Sequence, residues 1–181
     1  MRQLLIRHPD SHVSAASQIE VDVIRPHVER LELSYVVTGD TEKIRIPPLT
    51  RAMRTDELWR HTCFEAFVGT PADPAYYEFN FAPSTQWAVY RFTNYRNGMR
   101  AADEISELPI EVRASDDSFT LRTSLELKGL SGLPRLSAWR LGLSAVIEDT
   151  SGRMSYWALA HPPGKPDFHH AACFAHEIAV G

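Results

Sequence analysis

The sequence has few of the features that mark secreted, membrane-spanning or nucleic-acid-binding proteins. Its two cysteines, Cys63 and Cys173, are too few for a disulfide framework, and their apolar neighbours predict small core residues that stay reduced. No stretch approaches the roughly 20 apolar residues that span a bilayer. A net charge of -4 and a pI near 6.0 give no basic surface for a phosphate backbone. We therefore expect neither membrane insertion nor nucleic acid as a partner.

Signals for export and for common enzyme classes are also missing. The N-terminal stretch MRQLLIRHPDSHV has only a short apolar run, unlike the hydrophobic region of a signal peptide, so we expect a cytoplasmic protein. No GxSxG, P-loop or GxGxxG motif occurs. A length of 181 residues suits a single domain over 1–181, built around one core.

The dominant pattern in the sequence is an alternation of apolar and polar residues with a period of two. It runs through LELSYVV (31–37), FTLRTSLEL (119–127) and WRLGLSAVIED (139–149), with turn-forming segments between such runs. Helix is scarce: there is a short candidate over 50–61, and a second over 127–139 that its Gly and Pro residues favour as a loop. A final strand is expected over 173–180. The pattern predicts an all-β, antiparallel sandwich or barrel.

Three consecutive strands, predicted over 62–68, 75–82 and 86–92, carry polar residues where strand interiors usually hold Val, Ile or Thr. Their short connections predict antiparallel neighbours. With that pairing, one sheet face collects Glu65, Glu78, Asn80 and Arg91, with His61 and Trp87 at its edges. The assignment depends on register, since a slip of one residue would bury Trp87.

Two interpretations of this polar face remain open. An antiparallel sheet is commonly solvated on one side, so the face could simply meet water. It combines carboxylates, an amide and a guanidinium with the rings of Tyr76 and Trp87, however, rather than with Lys, Ser and Thr. Sugar rings stack on aromatic side chains while sugar hydroxyls bond to such polar groups. The composition therefore favours a polyhydroxylated ligand.

Three sequence blocks resemble, in the expected order, the DOMON-like proteins of bacteria, which are relatives of the family 9 carbohydrate-binding modules. The blocks are LWRHTCFEAFVG, YYEFNFAPSTQWAVYRF and SYWALAHPPGKPDFHHAACF, and the resemblance extends from about residue 31 to the end. It implies a β-sandwich of immunoglobulin-like or jelly-roll character that binds a sugar or, in other DOMON branches, haem. It implies no catalytic role.

The resemblance also implies where a ligand would bind. Segment 59–65 resembles the strand that enters the family's ligand face, and 78–80 resembles its partner strand. Trp157 and the loop 165–170 resemble the late block, which implies a position near the rim of the site. Together with the polar face, the predicted ligand-binding set is His61, Glu65, Tyr76, Glu78, Asn80, Trp87, Arg91, Trp157, Lys165, Asp167 and His169.

Cofactors are not required by this interpretation, although haem is the main alternative. Haem-binding relatives use axial Met and His, and Met99 has a suitable loop setting besides Met53 and Met154, but no spacing fixes an axial pair. Four histidines between 161 and 176 contain no HxxxH or HxH pair, so we predict no metal. The turns EDTSG and GTPADP could supply oxygens to calcium, but they lack the EF-hand pattern.

A glycosidase is the enzyme alternative. Glu65 and Glu78 on neighbouring strands could form an acid–base pair, roughly 5 to 9 Å apart. A shallow sheet face would leave both carboxylates solvated, with little to raise either pKa. We therefore predict a non-catalytic module that binds a carbohydrate or similar polar small molecule, such as a nucleotide sugar or cell-wall precursor.

Overall fold

Two antiparallel β-sheets pack face to face in the computed structural model, which describes residues 1–11, 13–134 and 136–179. The strands are β1 Arg2–Leu4, β2 Ile6–Arg7, β3 Ala16–His27, β4 Arg30–Gly39, β5 Cys63–Thr70, β6 Asp73–Phe81, β7 Trp87–Phe92, β8 Arg100–Ala101, β9 Ile110–Ala114, β10 Ser118–Glu126, β11 Trp139–Glu148, β12 Met154–Ala158 and β13 His176–Ile178. The first sheet has the order β1-β3-β4-β10-β9. The second has the order β2-β12-β11-β5-β6-β7-β8, with β13 paired to β11.

The main core lies between the sheets and follows the period-two pattern. In the first sheet, alternate residues of β4 and β10 point inward, among them Leu33, Tyr35 and Leu121. The second sheet contributes Phe64 of β5 and the inward residues of β6 to the same core. The Phe64 ring stacks on Phe119 of β10, with ring centroids 6.0 Å apart. Burial of these side chains removes apolar surface from water and holds the two layers together.

A second apolar layer covers the outer face of β5, β6 and β7. It contains Cys63, Phe67, Tyr76, Ala88, Tyr90 and Phe92, packed under Leu58, Trp59, Phe168 and Phe174. On β11, Gly142 lets the 3-10 helix Ala171–Cys173 lie on the sheet, because a Cβ at this position would be 3.3 Å from the carbonyl oxygen of Cys173. The central strands of the second sheet are therefore buried on both faces.

The predicted all-β, antiparallel sandwich is confirmed. The alternating runs over 31–37, 119–127 and 139–149 form β4, β10 and β11. The three strands expected to carry the polar face form β5, β6 and β7, which pair in that order as antiparallel neighbours. The longest strand, β3, was not among the predicted strands.

Helical structure is scarcer than the candidates suggested. The candidate over 50–61 contains only the 3-10 helix Leu58–Arg60, and the described residues of 127–139 form turns before β11 begins. The final strand expected over 173–180 is reduced to β13, and residue 180 lies outside the described residues. Among the described residues, no helix is long and apolar enough to cross a membrane.

A tyrosine hydroxyl links the two sheets. Oη of Tyr35 in β4 donates a hydrogen bond of 2.7 Å to the carbonyl oxygen of Glu65 in β5, in a fully buried position. This hydrogen bond predicts the effect of Tyr35→Phe. The substitution leaves the Glu65 carbonyl without the hydroxyl donor, so we expect the free energy of unfolding to fall by about 1–2 kcal/mol in urea denaturation. As a control, Tyr156→Phe removes a half-buried tyrosine's hydroxyl that makes no hydrogen bond to the described residues, and it should change the free energy of unfolding by less than about 0.5 kcal/mol. Equal effects would contradict the proposed link between sheets.

Candidate functional site

An open pocket of about 580 Å³ lies on the outer face of the second sheet. Its lining comes from the strands β5, β6, β7, β11 and β12, with the carboxyl groups of β5 and β6 in the floor, and from the segments before β5, after β7 and after β12. The lining includes the carboxyl groups of Glu65 and Glu78, the arginines Arg60 and Arg96, and the aromatic rings of Trp59, Phe92, Tyr156 and Phe168. The volume is typical of a small-molecule site.

Two carboxyl groups and an amide lie together in the floor. Asn80 of β6 is directly opposite Glu65 of β5 in the ladder, and Glu78 is two residues away on the same face. Nδ2 of Asn80 donates to Oε1 of Glu78 over 2.7 Å, and Oγ of Ser144 in β11 donates to Oε2 of Glu65 over 3.0 Å. All four side chains are buried. The face is therefore not the solvated surface of an ordinary antiparallel sheet.

Burial raises the pKa of both carboxyl groups, that of Glu65 to about 8 and that of Glu78 to about 7. Repulsion from Glu78 adds to the rise at Glu65, and the hydrogen bond from Ser144 opposes it. The hydrogen bond from Asn80 opposes the rise at Glu78, and the charge of Arg96 opposes the rise at both groups. Much of the pair is therefore protonated near neutral pH. The expectation of solvated carboxylates with little to raise their pKa is wrong, because the face is covered by loops.

His169 and Tyr76 close one side of the floor. Oη of Tyr76 lies 2.8 Å from Nδ1 of His169, and the Tyr76 ring stacks on Phe92 with centroids 4.9 Å apart. Nε2 of His169 lies 3.6 Å from Oε2 of Glu78. Burial, followed by the charge of Arg96, lowers the pKa of His169 to about 4. The imidazole is then neutral at neutral pH, and its contact with Glu78 is not an ion pair.

Asp167 holds the rim together and does not line the pocket. Its carboxylate accepts hydrogen bonds from Nε and Nη2 of Arg96, at 3.2 and 2.8 Å, and from Oη of Tyr95. These bonds tie the loop 165–170 to the turn after β7. The other arginine of the lining, Arg60, pairs with Glu57 over 2.7 Å. Both arginines therefore have carboxylate partners at the rim.

Trp87 and Arg91 lie on the opposite face of β7, so the prediction that they share the face of Glu78 is wrong. The strand pairing places Trp87 opposite Phe81 and Arg91 opposite Tyr77, and both partners point into the main core. The outer face of β7 is itself apolar because loops cover it. Hydrophobicity therefore did not reveal which face of this strand meets the core.

Three other predicted residues neither line the pocket nor hydrogen-bond to a lining residue. Trp157 packs in the main core, whereas the adjacent Tyr156 reaches the pocket. Lys165 is exposed next to the rim. His61 directs Nδ1 to Oε2 of Glu148 over 2.7 Å, at the entrance to β5. From the predicted set the pocket lining contains Glu65, Glu78 and His169, with Tyr76, Asn80 and Asp167 holding lining residues in place.

Most of the lining side chains are absent from the predicted set, and the aromatic and charged ones among them are Trp59, Arg60, Phe92, Arg96, Tyr156 and Phe168. The alternation in β12 offers Tyr156 and Trp157 as equal candidates for the outer face, because both are aromatic. Arg96 and Phe168 come from turns and loops, where periodicity does not indicate direction. Trp59 forms part of the wall; the sequence analysis included it in the segment 59–65 but did not predict it as a ligand-binding residue.

Comparison with known proteins identifies the fold. No family model and no curated protein matches the sequence. A proposed carbohydrate-binding protein from Bacteroides uniformis ATCC 8492 superposes with a TM-score of 0.69 at 13% identity, over 95% of this chain and 83% of its own. A family 9 carbohydrate-binding module from Caldicellulosiruptor kristjanssonii in complex with cellotriose gives 0.52 at 13% identity, over 91% and 74%. The shared feature is the β-sandwich.

The raised carboxyl pKa values predict a pH-dependent stability. Between their usual value of 4.5 and about 8, the folded protein binds more protons at Glu65 and Glu78 than the unfolded chain does, so their contribution to the free energy of unfolding falls as pH rises. Glu65→Gln removes one such group. The variant should gain stability relative to the wild type from about pH 5 to about pH 8, by on the order of 1 kcal/mol or more in urea denaturation.

The difference between variant and wild type is the informative quantity, because His169 contributes a dependence of the opposite sign. Its lowered pKa makes the folded state bind fewer protons between about 4 and 6.5, so its contribution to stability rises with pH. Glu111→Gln, on the outer face of the first sheet, is the matched control and should show a much smaller change with pH. A pH-independent difference for Glu65→Gln would rule out a buried, protonated carboxyl.

Proposed function

We propose that the protein is a non-catalytic module that binds a carbohydrate in the pocket on the outer face of the second sheet. The observation that carries the proposal is the pair of carboxyl groups of Glu65 and Glu78 in the floor of an open pocket. Each side chain is buried and held by a hydrogen bond, so the floor offers donors and acceptors in fixed positions. Sugar hydroxyls, which both donate and accept, suit such a floor.

The walls of the pocket support the same function. Trp59 packs edge-on against Tyr90 with ring centroids 5.9 Å apart, and Tyr156 packs against Phe168 at 6.2 Å, so these rings are held in place. Fixed aromatic rings provide apolar surface for the C–H faces of a sugar with little loss of conformational entropy. The shared fold with carbohydrate-binding proteins is consistent with this assignment, and kinship with the DOMON-like proteins belongs to the proposal.

The carboxyl pair suits binding better than hydrolysis of a glycosidic bond. A glycosidase needs environments that push two carboxyl pKa values apart, so that one group is protonated while the other is ionised. Here the same burial raises the pKa of both Glu65 and Glu78. We expect no turnover of aryl glycosides by the purified protein. Turnover that Glu65→Gln abolishes would overturn the non-catalytic assignment.

Haem, the alternative from the DOMON resemblance, does not fit the residues of the pocket. Met99 and Met154 line it together with His169. The two ring nitrogens of His169 face Tyr76 and Glu78, however, which leaves neither directed at an axial position. Among the described residues, no group of three His, Cys, Asp or Glu side chains is placed to hold a metal ion. A Soret band in the purified protein would reverse this assignment.

Two substitutions test the pocket as the carbohydrate site. A binding screen of glycans and nucleotide sugars, with cellotriose included, first identifies a ligand of the wild-type protein. Titration calorimetry then compares the affinity of each variant for that ligand with that of the wild type. Trp59→Ala removes apolar contact worth about 2 kcal/mol, and Glu78→Ala removes hydrogen bonds worth about 1–3 kcal/mol. Each should weaken binding at least about tenfold.

The control is Leu49→Ala, which truncates an exposed apolar side chain outside the pocket and should leave affinity unchanged. Circular dichroism confirms that each variant is folded. If the wild type binds no glycan or nucleotide sugar, the proposed function is wrong. If both pocket variants bind as the wild type does, the ligand binds elsewhere.

A further inference from the structure

Glu65 and Glu78 are placed to share one cationic group. In the antiparallel ladder Glu78 is the diagonal neighbour of Glu65, because Asn80 is the residue directly opposite. Diagonal neighbours lie about 7–8 Å apart, and their side chains on the same face come closer than that. A small ammonium group between the two carboxyl groups could therefore contact both.

The protein itself does not neutralise this pair by direct contact. The hydrogen-bond donors to the two carboxyl groups, Ser144 and Asn80, are uncharged. The titratable side chains that interact electrostatically with the pair, among the described residues, are Tyr35, Cys63, Tyr76, Tyr90, Arg96 and His169. Of these, Arg96 is the one that is charged near neutral pH, and two of its nitrogens bond to Asp167.

The aromatic walls of the pocket also favour a cationic ligand. The rings of Trp59, Tyr156 and Phe168 belong to the lining, and an ammonium group is attracted to the face of an aromatic ring. The arginine on this side of the rim, Arg60, is balanced by Glu57. The pocket thus combines an acidic floor with π-electron surface, which is a setting that favours positive charge in the ligand.

We propose that the pocket prefers an amino sugar, which carries a free ammonium group, over the matching neutral sugar, and that the ammonium group binds between Glu65 and Glu78. This inference rests on the proposed carbohydrate function and adds the charge of the ligand to it. An ammonium group brings three hydrogen-bond donors to a floor rich in acceptors. Its bonds to carboxylates are charge-assisted and roughly twice as strong as those between neutral groups.

Binding of the ammonium group is coupled to release of protons. Burial raises the pKa values of Glu65 and Glu78 to about 8 and about 7, so protons occupy much of the empty pair near neutral pH. A nearby cation favours the ionised form of a carboxyl, so protons leave as the ammonium group enters. A neutral sugar leaves them in place. The affinity for an amino sugar should therefore rise toward neutral pH while its amine stays charged.

The experiment uses three matched pairs of probes: D-glucosamine with D-glucose, D-galactosamine with D-galactose, and D-mannosamine with D-mannose. Each is titrated calorimetrically into the wild-type protein at about pH 6.5, in two buffers with different ionisation enthalpies. In at least one pair the amino sugar should bind at least about tenfold more tightly. Its observed enthalpy should depend on the buffer in the direction of proton release, whereas that of the neutral sugar should not.

Glu65→Gln and Glu78→Gln remove the charge while keeping a shape similar to the protonated acid. They should lower affinity for the amino sugar at least about tenfold and change affinity for the neutral sugar less than about threefold. Glu111→Gln, outside the pocket, should change neither. Proton release is measured on the wild type, so the proposal is tested even if a glutamine variant fails to fold.

The outcomes separate this inference from the proposed function. Equal affinity within every pair, or tighter binding of the neutral sugars, would overturn the amino-sugar preference and leave carbohydrate binding intact. The same conclusion would follow if the wider glycan screen yields neutral ligands and none of the three amino sugars binds. Failure to bind any sugar would overturn both.

Discussion

Burial of β5 and β6 on both faces is the constraint on which the rest of the structure depends. Every residue from Cys63 to Thr70 is buried, although this strand belongs to one outer layer of a two-sheet sandwich. Polar side chains on the outer faces of β5 and β6 must then find partners within the protein, because very little of their surface is exposed to water. Glu65 and Glu78 find these partners in Ser144 and Asn80. The same bonds that satisfy the buried groups also fix their directions in the floor of the pocket.

The loops that cover this face also determine where it stays open. Hydrogen bonds between Asp167 and Arg96 join two loops that are far apart in the sequence, and Tyr76 holds His169 against the floor. Gly142 allows the late loop to approach β11 closely. Because these contacts hold the loops at their edges, the loops leave a pocket above the carboxyl groups of Glu65 and Glu78. The geometry of the site therefore depends on long-range polar contacts as much as on apolar packing.

The sequence predicted the sheet architecture and the shared face of Glu65 and Glu78, and it failed where hydrophobicity does not distinguish the two faces of a strand. On β5 and β6 the face with Glu65 and Glu78 contrasts with an apolar one, so the alternation identifies it. On β7 both faces are largely apolar, and Trp87 was placed on the wrong one. On β12 the choice between Tyr156 and Trp157 is equally undetermined. Residues from loops could not be predicted, since their direction depends on tertiary contacts.

The presence of two carboxyl groups in an otherwise apolar layer calls for an explanation beyond the fold. Replacing buried polar groups by apolar ones of similar volume is often neutral or stabilising, so stability alone does not explain why Glu65 and Glu78 occupy these positions. The likeness in fold at 13% identity to other sandwiches shows how few side chains this architecture fixes. Buried ionisable groups go against the usual rule that interiors are apolar. Such an exception in the floor of an open pocket is characteristic of a functional site. The cost of burying these carboxyl groups is the strongest argument that a ligand uses them.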